Sequence, residues 1–284
     1  INAFGHDTSA ALVIDGILIA AIEEERLNRE KKTRKFPHLS IEYCLDVAGI
    51  KLKDIDYVTY AYVPSIWFTH RFLLHQVRYF PQALTELKYA GKTFKEHLLL
   101  ESTLKKELGM DVPIKFIKHH DAHMGSTYLV SPHESSAIMT IDGLGEYESC
   151  VHAVGSGSNI KRINHVNFPY SLGMMYSCLS QFLNYAPTYD EGKVMGLSSY
   201  GDRDEYYNEF KKIVRLKRDG TYDFDMSYFM YHRTRDVWVS DKFYKVFGAQ
   251  RGKNEDINDR HMAVVAAGQR VLEDTILHMT ENLH

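Results

Sequence analysis

The stretch SAALVIDGILIAAI, residues 9–22, predicts the first element of the fold. Two apolar runs flank Asp15 and Gly16, and an Asp-Gly pair supplies the positive φ angles of a type I′ turn, so the stretch predicts a β-hairpin. A related arrangement occurs later, as one strand followed by two runs around a glycine-serine turn, at residues 137–141, 148–154 and 160–166. Helical segments separate the two copies, so the chain is predicted to be a duplicated α/β fold.

Apolar spacing predicts the other elements. Short strands are expected at residues 56–63 and 112–117, and helices at 40–49, 171–184, 204–217 and from 258 to the end. Residues 65–107 are rich in aromatic side chains and are predicted to form a mostly helical insert, with breaks at Pro81 and Gly91. The charged segment 23–37 is interpreted as a solvated face or loop.

The composition excludes several classes of protein. A net charge of -3 supplies no overall basic field for nucleic acid, and three widely spaced cysteines argue against a disulfide framework. The longest apolar stretch, residues 10–22, is interrupted and too short to span a bilayer. We therefore expect a cytoplasmic protein without nucleic-acid or membrane partners. The sequence predicts no particular oligomeric state.

A cluster of histidines, HHDAH at residues 119–123, directly follows a predicted strand. If a helix begins there, His119 and His123 share a face one turn apart, which suits chelation of a divalent metal. Asp142, at the end of another predicted strand, would add a carboxylate ligand. The alternative is a polar helix start in which Asp121 interacts favourably with the helix dipole.

A glycine-containing loop, DGLGE at residues 142–146, follows the same strand. Its glycines, Gly143 and Gly145, would let backbone N–H groups approach phosphate oxygens. The loop leads into a hairpin rather than a helix, so it does not match the Rossmann pattern. The alternative is an ordinary hairpin turn.

Two further segments carry candidate functional groups. In YAPTYDEGKVMGLSSYG, residues 185–201, Glu191 could bind a ribose hydroxyl and Lys193 could neutralise phosphate, although a surface turn before a short helix is the alternative. His6, beside Asp7 at a predicted strand end, could act as a general base, although a structural histidine is the alternative.

These segments taken together resemble the O-carbamoyltransferase family of natural-product biosynthesis, which includes the nodulation-factor, cephamycin and tobramycin carbamoyltransferases. The matching motifs are FGHDTSAALVIDG, EEERLNREKK, KHHDAH, IDGLGE and YDEGKVMGLSSYG, in the order of the family. They cover about residues 2–201, and residues 202–284 match less distinctively.

The resemblance implies an actin/Hsp70/sugar-kinase type fold, close to the metal-binding domain of tRNA threonylcarbamoyladenosine synthases. Members of the family continue into a YrdC-like domain that makes carbamoyl adenylate from carbamoyl phosphate and ATP. The first domain then transfers the carbamoyl group to a hydroxyl of a small molecule. Residues 1–284 contain no counterpart of the YrdC-like domain. We therefore expect this chain to be an incomplete first domain that is inactive alone.

The resemblance also assigns roles to residues. His119, His123 and Asp142 match metal ligands, and a fourth ligand is expected beyond residue 284. His6 matches the base that deprotonates the acceptor, and Lys31 would contact the carbamoyl or phosphate group. The nucleotide would be lined by Gly143, Gly145, Glu191 and Lys193. Two imidazoles and a carboxylate suit iron or zinc, the family favours iron(II), and magnesium would accompany the nucleotide.

Three alternative functions stay open: a tRNA threonylcarbamoyl transferase, a sugar-kinase-like phosphotransferase, and a non-catalytic nucleotide-binding or interaction module. The net charge of -3 gives little support to tRNA binding. The acceptor also stays open among aminoglycosides, macrocycles, nodulation lipo-oligosaccharides and guanidinium toxins such as saxitoxin.

Overall fold

A computed structural model describes residues 1–79, 94–234 and 236–283 of the chain. The described residues form two compact units, one from residues 1–65 and 94–122 and the other from residues 66–79 and 123–283. The boundaries after residues 65 and 122 each fall within a helix, Pro64–Trp67 and His119–Tyr128. Helices and strands alternate along the chain, which confirms the predicted mixed α/β class.

The predicted hairpin opens the first unit. Strands β1 (Ser9–Ile14) and β2 (Ile17–Glu23) pair antiparallel. Asp15 and Gly16 have φ angles of 51° and 82°, so both turn residues have the positive φ of the predicted turn.

Helices α1 (Glu24–Asn28) and α2 (His38–Ala48) follow the hairpin. One face of the hairpin is buried, because Ala10 and Leu12 pack with Cys44 of α2 in an apolar cluster. The helix predicted over residues 40–49 is therefore confirmed, and it starts two residues earlier, at His38.

The interpretation of residues 23–37 as a solvated segment is wrong for Glu24, which is only 3% exposed. Its carboxylate accepts hydrogen bonds from the backbone N–H of Leu39 at 3.2 Å and of Ser40 at 2.8 Å. The first N–H groups of a helix have no partner within that helix, so Glu24 supplies acceptors for the start of α2.

A parallel strand pair completes the β structure of the first unit. Strand β3 (Val58–Tyr60) pairs in parallel with β4 (Ile114–Phe116). Both strands are shorter than predicted. The start of the chain joins this pair to the hairpin, because Ile1 N donates to Thr59 O and Asn2 N donates to Ser9 O, both at 2.9 Å.

The predicted helical insert is confirmed where it is described. Its described elements are α3 (Pro64–Trp67), a π-helical segment (Phe68–Leu74), α4 (His75–Arg78) and α5 (Leu100–Leu108). The predicted breaks at Pro81 and Gly91 lie outside the described residues.

A helix that crosses the boundary at residue 122 leads into an antiparallel sheet of the second unit. Helix α6 (His119–Tyr128) precedes strands β5 (Ser135–Ile141), β6 (Glu148–Ser156) and β7 (Asn159–Asn167). The three strands lie in the order β5-β6-β7, so the predicted second hairpin is confirmed.

The remaining elements form the main core of the second unit. They are α7 (Leu172–Phe182), α8 (Glu191–Ser198), α9 (Tyr207–Ile213), β8 (Val214–Leu216), β9 (Tyr222–Phe224), α10 (Asp241–Phe247) and α11 (Asp259–Leu283). The long α11 buries Val264, Val265 and Val271 in this core. No helix in the described part of the chain is long and apolar enough to cross a membrane.

The predicted helix over residues 204–217 is wrong at its C-terminal end, where residues 214–216 form β8. Backbone angles at Val214 are extended, and β8 pairs antiparallel with β9 around a turn in which Gly220 has a φ of 77°. Asp219 and Gly220 therefore form a hairpin turn, and this pairing overrides the helical spacing.

Candidate metal centre

Helix α6 begins at His119, as the sequence predicts. His119 and His123 therefore lie one helical turn apart on the same face. His119 is partly buried, and the His123 side chain is 49% exposed. His120, between them, is fully buried, and its ring lies edge-on to the ring of His119 at 5.7 Å.

Asp142 directly follows β5 and brings a carboxylate to the same place. Its Oδ2 lies 3.6 Å from His123 Nε2, and its Oδ1 accepts a hydrogen bond from Gly143 N at 2.5 Å. One ligand atom from each of His119, His123 and Asp142 lies within 4.8 Å of the other two. The structure thus brings together the three residues predicted to bind a metal.

The donor set of these three residues fits a divalent transition metal. Two imidazoles and one carboxylate are the ligands typical of non-haem iron(II) sites, and zinc accepts the same set. Ligands bound at about 2.0–2.2 Å lie at most roughly 4.4 Å apart, so small side-chain rotations would bring these three onto one ion. They leave further coordination positions for another ligand or for solvent.

The glycine loop forms a closed connection between β5 and β6. Asp142 N donates to Ser149 O, and Gly145 N donates to Glu148 O, both at 2.9 Å. Gly143 N is also engaged, because it donates to the Asp142 carboxylate. The N–H groups of Gly143 and Gly145 therefore hold the loop. A phosphate could accept hydrogen bonds from them only if these existing hydrogen bonds were broken.

The N-terminus of α7 packs against this loop. Ser171 caps the helix by accepting from Met174 N at 3.1 Å, and its hydroxyl donates to Gly143 O at 2.6 Å. A Cβ at Gly173 would lie 2.7 Å from Gly143 N, so only glycine allows this approach. Sequence reasoning missed both contacts, although a serine before an apolar run is a recognisable N-cap signal.

Glu191 and Lys193 lie at the start of the short helix α8. Glu191 Oε1 accepts from Ser177 Oγ at 2.5 Å and from Thr188 N at 2.6 Å, which ties α8 to α7. Lys193 Nζ lies 2.8 Å from Asp190 Oδ1, and this hydrogen bond raises the pKa of Lys193. Both side chains thus have structural partners. They lie at a turn before a short helix, which is the alternative to nucleotide binding given in the sequence analysis.

His6 and Lys31 belong to the first unit. His6 Nδ1 lies 2.7 Å from Asp7 Oδ2, and 72% of the His6 side chain is exposed. An ionised carboxylate only accepts hydrogen bonds, so Nδ1 carries the proton and Nε2 is left as a base. Asn2 Nδ2 donates to Asp7 O at 2.9 Å and holds the loop. Lys31 is exposed in the turn after α1.

An α/β protein with two imidazoles and a carboxylate converging after a strand is a candidate metal-dependent enzyme domain. The family model for the carbamoyltransferase N-terminus matches residues 1–284. The chain therefore belongs to the carbamoyltransferase N-terminus family, in agreement with the resemblance noted from its motifs.

Several longer proteins match nearly the whole chain. An uncharacterised protein of Synechocystis is 34% identical over 100% of this chain and 48% of its own length. The nodulation protein NolNO of Sinorhizobium fredii is 34% identical over 98% of this chain and 38% of its own length. The chain thus spans half or less of the length of these relatives.

Proposed function

We propose that this chain provides the group-transfer domain of an O-carbamoyltransferase. The observation that carries the proposal is the convergence of His119, His123 and Asp142 in a chain of the carbamoyltransferase N-terminus family. The relatives are about twice as long as the chain or longer, which supports a second, YrdC-like domain in the complete protein.

The proposed reaction has two steps. In the first, water cleaves carbamoyl phosphate to carbamate and inorganic phosphate, and a carbamate oxygen attacks the α-phosphorus of ATP and displaces pyrophosphate. The product is carbamoyl adenylate, in which the carbamoyl carbon is bonded through oxygen to the phosphorus of AMP. A hydroxyl of the acceptor then attacks that carbon, a new carbon–oxygen bond forms, and the bond to AMP breaks. AMP leaves with the electron pair of the broken bond, and the proton of the hydroxyl passes to a base.

His6 is the proposed base for the transfer step. The Asp7 carboxylate holds the proton on Nδ1, so the exposed Nε2 presents a lone pair. Removal of the acceptor proton at Nε2 would leave an imidazolium ion, and the adjacent carboxylate stabilises its charge. Lys31 is proposed to contact the carbamoyl or phosphate group as an exposed point charge.

The proposed metal ligands are His119, His123 and Asp142, with iron(II) as the first candidate and zinc as the second. A bound divalent ion would supply electrostatic stabilisation of negative charge on the phosphate of the leaving AMP. The nucleotide, accompanied by magnesium, is proposed to lie along Gly143, Gly145, Glu191 and Lys193. Lys193 is 61% exposed, so its charge is accessible to a phosphate.

An actin/Hsp70/sugar-kinase type fold is proposed from the strand order. In the first unit the chain start lies between the hairpin and β3, which gives the order β2, β1, residues 1–3, β3, β4. In the second unit the order β7, β6, β5 corresponds to β2, β1 and residues 1–3 of the first unit. The loop with His6 and the loop with Gly143 then occupy equivalent positions of a duplicated fold, each between the first and second strands.

The acceptor is proposed to be a hydroxyl-bearing natural product rather than tRNA. The similarity to a nodulation protein and the net charge of -3 support a small-molecule acceptor over a polyanionic one. A cytoplasmic location is proposed because Cys44, Cys150 and Cys178 are buried thiols without disulfide partners.

Separate assay of the two steps in the full-length protein tests this proposal. His6→Ala should form carbamoyl adenylate at the wild-type rate and should lose acceptor carbamoylation by about 100-fold or more, the usual contribution of a general base. His133→Ala, on an exposed loop, is the matched control. Wild-type transfer by His6→Ala would overturn the role of His6, and absence of any carbamoyl adenylate in the wild type would overturn the reaction.

A further inference from the structure

A cavity of about 250 Å³ lies in the second unit, and none of its lining residues is one assigned to the metal or the nucleotide. It is lined by basic side chains from three elements: Arg78 of α4, His165 of β7 and Lys217, which follows β8. Among the described residues that line it, none is a carboxylate. The cations of Arg78 and Lys217 repel each other across one small cavity, so their convergence needs an explanation.

Neighbouring carboxylates offset only part of this charge. Lys217 Nζ lies 3.3 Å from Asp223 Oδ2, but the same carboxylate also accepts from Arg215 Nε at 2.5 Å. One carboxylate therefore serves two cations. Asp219 Oδ1 accepts from both N and Oγ1 of Thr221, at 2.9 and 2.6 Å, and these hydrogen bonds, together with the charge of Lys217, lower the pKa of Asp219. Asp223 and Asp219 thus offset the charges of Arg215 and Lys217. The positive charge that remains at the cavity, among the described residues, is that of Arg78.

The other polar lining residues add neutral hydrogen-bond donors. Asn167 contributes an amide, and Tyr147 and Tyr170 contribute hydroxyl groups. The ring of Tyr147 is held by stacking on His70, at 4.7 Å between centroids. Arginine and lysine combined with such donors suit the several acceptor oxygens of a phosphate group. The volume is below the roughly 300 Å³ at which drug-sized pockets begin, which favours a small ligand.

We infer that this cavity binds the phosphate group of a small phosphorylated compound. The ligand is either free phosphate or a phosphate ester, and the side chains of Arg78 and Lys217 recognise it. The predicted helical insert, through α4, thereby contributes to ligand binding. This inference does not depend on the metal centre or on the proposed carbamoyl transfer.

Calorimetric titration of the full-length protein with inorganic phosphate and with glycerol 3-phosphate tests the inference. Arg78→Gln and Lys217→Gln should each weaken phosphate binding by about ten-fold, the usual loss for one charge-assisted hydrogen bond. Lys212→Gln is the matched control, since Lys212 is an exposed lysine of α9 paired with Glu209. Stronger binding of glycerol 3-phosphate identifies an ester as the ligand, and stronger or equal binding of inorganic phosphate identifies the free ion.

A second measurement avoids dependence on the variants. In the wild-type protein, phosphate should shift the imidazole NMR signals of His165 and leave those of the exposed His133 unchanged. An unshifted His165, or equal phosphate affinity in Arg78→Gln, Lys217→Gln and Lys212→Gln, would overturn the inference.

Discussion

The carboxylate of Glu24 accepts hydrogen bonds from both the backbone N–H and the hydroxyl of Ser40, at 2.8 and 2.7 Å. The two residues are 16 positions apart, so a side chain beyond the hairpin caps the first turn of α2. Because α2 covers the buried face of the hairpin, this contact connects the β1–β2 hairpin to its packing helix.

Replacement of Glu24 by alanine should lower the free energy of unfolding by about 1–3 kcal/mol, because the N–H groups of Leu39 and Ser40 would lose their acceptor in a buried position. Urea unfolding measures this change. Glu42→Ala, on the exposed side of α2, should change it by less than about 0.5 kcal/mol. Equal stability of Glu24→Ala and Glu42→Ala would show that the cap contributes nothing.

Replacement of Gly173 by alanine should displace the loop that carries Asp142. The new Cβ would lie 2.7 Å from Gly143 N and 2.8 Å from its Cα, and backbone atoms cannot rotate away. We expect a loss of about 1–3 kcal/mol in unfolding free energy together with weaker metal binding.

A matched control for Gly173 exists in α8. Gly196 has open space where a Cβ would lie, so Gly196→Ala should keep metal affinity and gain up to about 1 kcal/mol from helix propensity. Thermal unfolding with and without metal separates the two variants. Wild-type metal affinity in Gly173→Ala would show that the contact does not position Asp142.

Stability should fall in acid partly through His232. Burial, together with the positive charge of Arg233, lowers the pKa of His232 from 6.5 to about 3. The unfolded chain therefore binds a proton at this histidine between pH 6.5 and about pH 3, whereas the folded chain does not. His232 therefore adds no pH dependence above pH 6.5. Below pH 6.5 the free energy of unfolding decreases as the pH falls toward about 3.

His232→Gln removes this titration while keeping a polar side chain beside Arg233. Urea unfolding measured at several pH values should give a shallower acid decline for His232→Gln than for the wild type. His133→Gln, at an exposed site, should keep the wild-type slope. Identical slopes in all three proteins would exclude His232 as a source of the acid sensitivity.

Local signals explain what the sequence could predict. The hairpin at residues 9–22 follows from one Asp-Gly turn between apolar runs, and α6 places His119 and His123 together through helical spacing alone. The position of Asp142 followed from its location at a strand end. These features depend on residues that are close in sequence, so pattern and propensity determine them.

The parts that sequence reasoning missed depend on distant contacts. The buried state of Glu24 is set by Ser40, and the requirement for Gly173 is set by the backbone of Gly143, 30 positions away. The strand at Val214 forms because β9 pairs with it. Spacing within a segment carries no information on such partners, since tertiary pairing overrides local preference.

Metal analysis of the full-length protein tests the central claim most directly. Elemental analysis after anaerobic purification with iron(II) should find about one tightly bound ion per chain at this site in the wild type and in His133→Ala. His123→Ala and Asp142→Asn should lose that ion together with carbamoyl transfer, while remaining folded by circular dichroism. Undiminished metal content in folded His123→Ala and Asp142→Asn would contradict a metal centre at His119, His123 and Asp142.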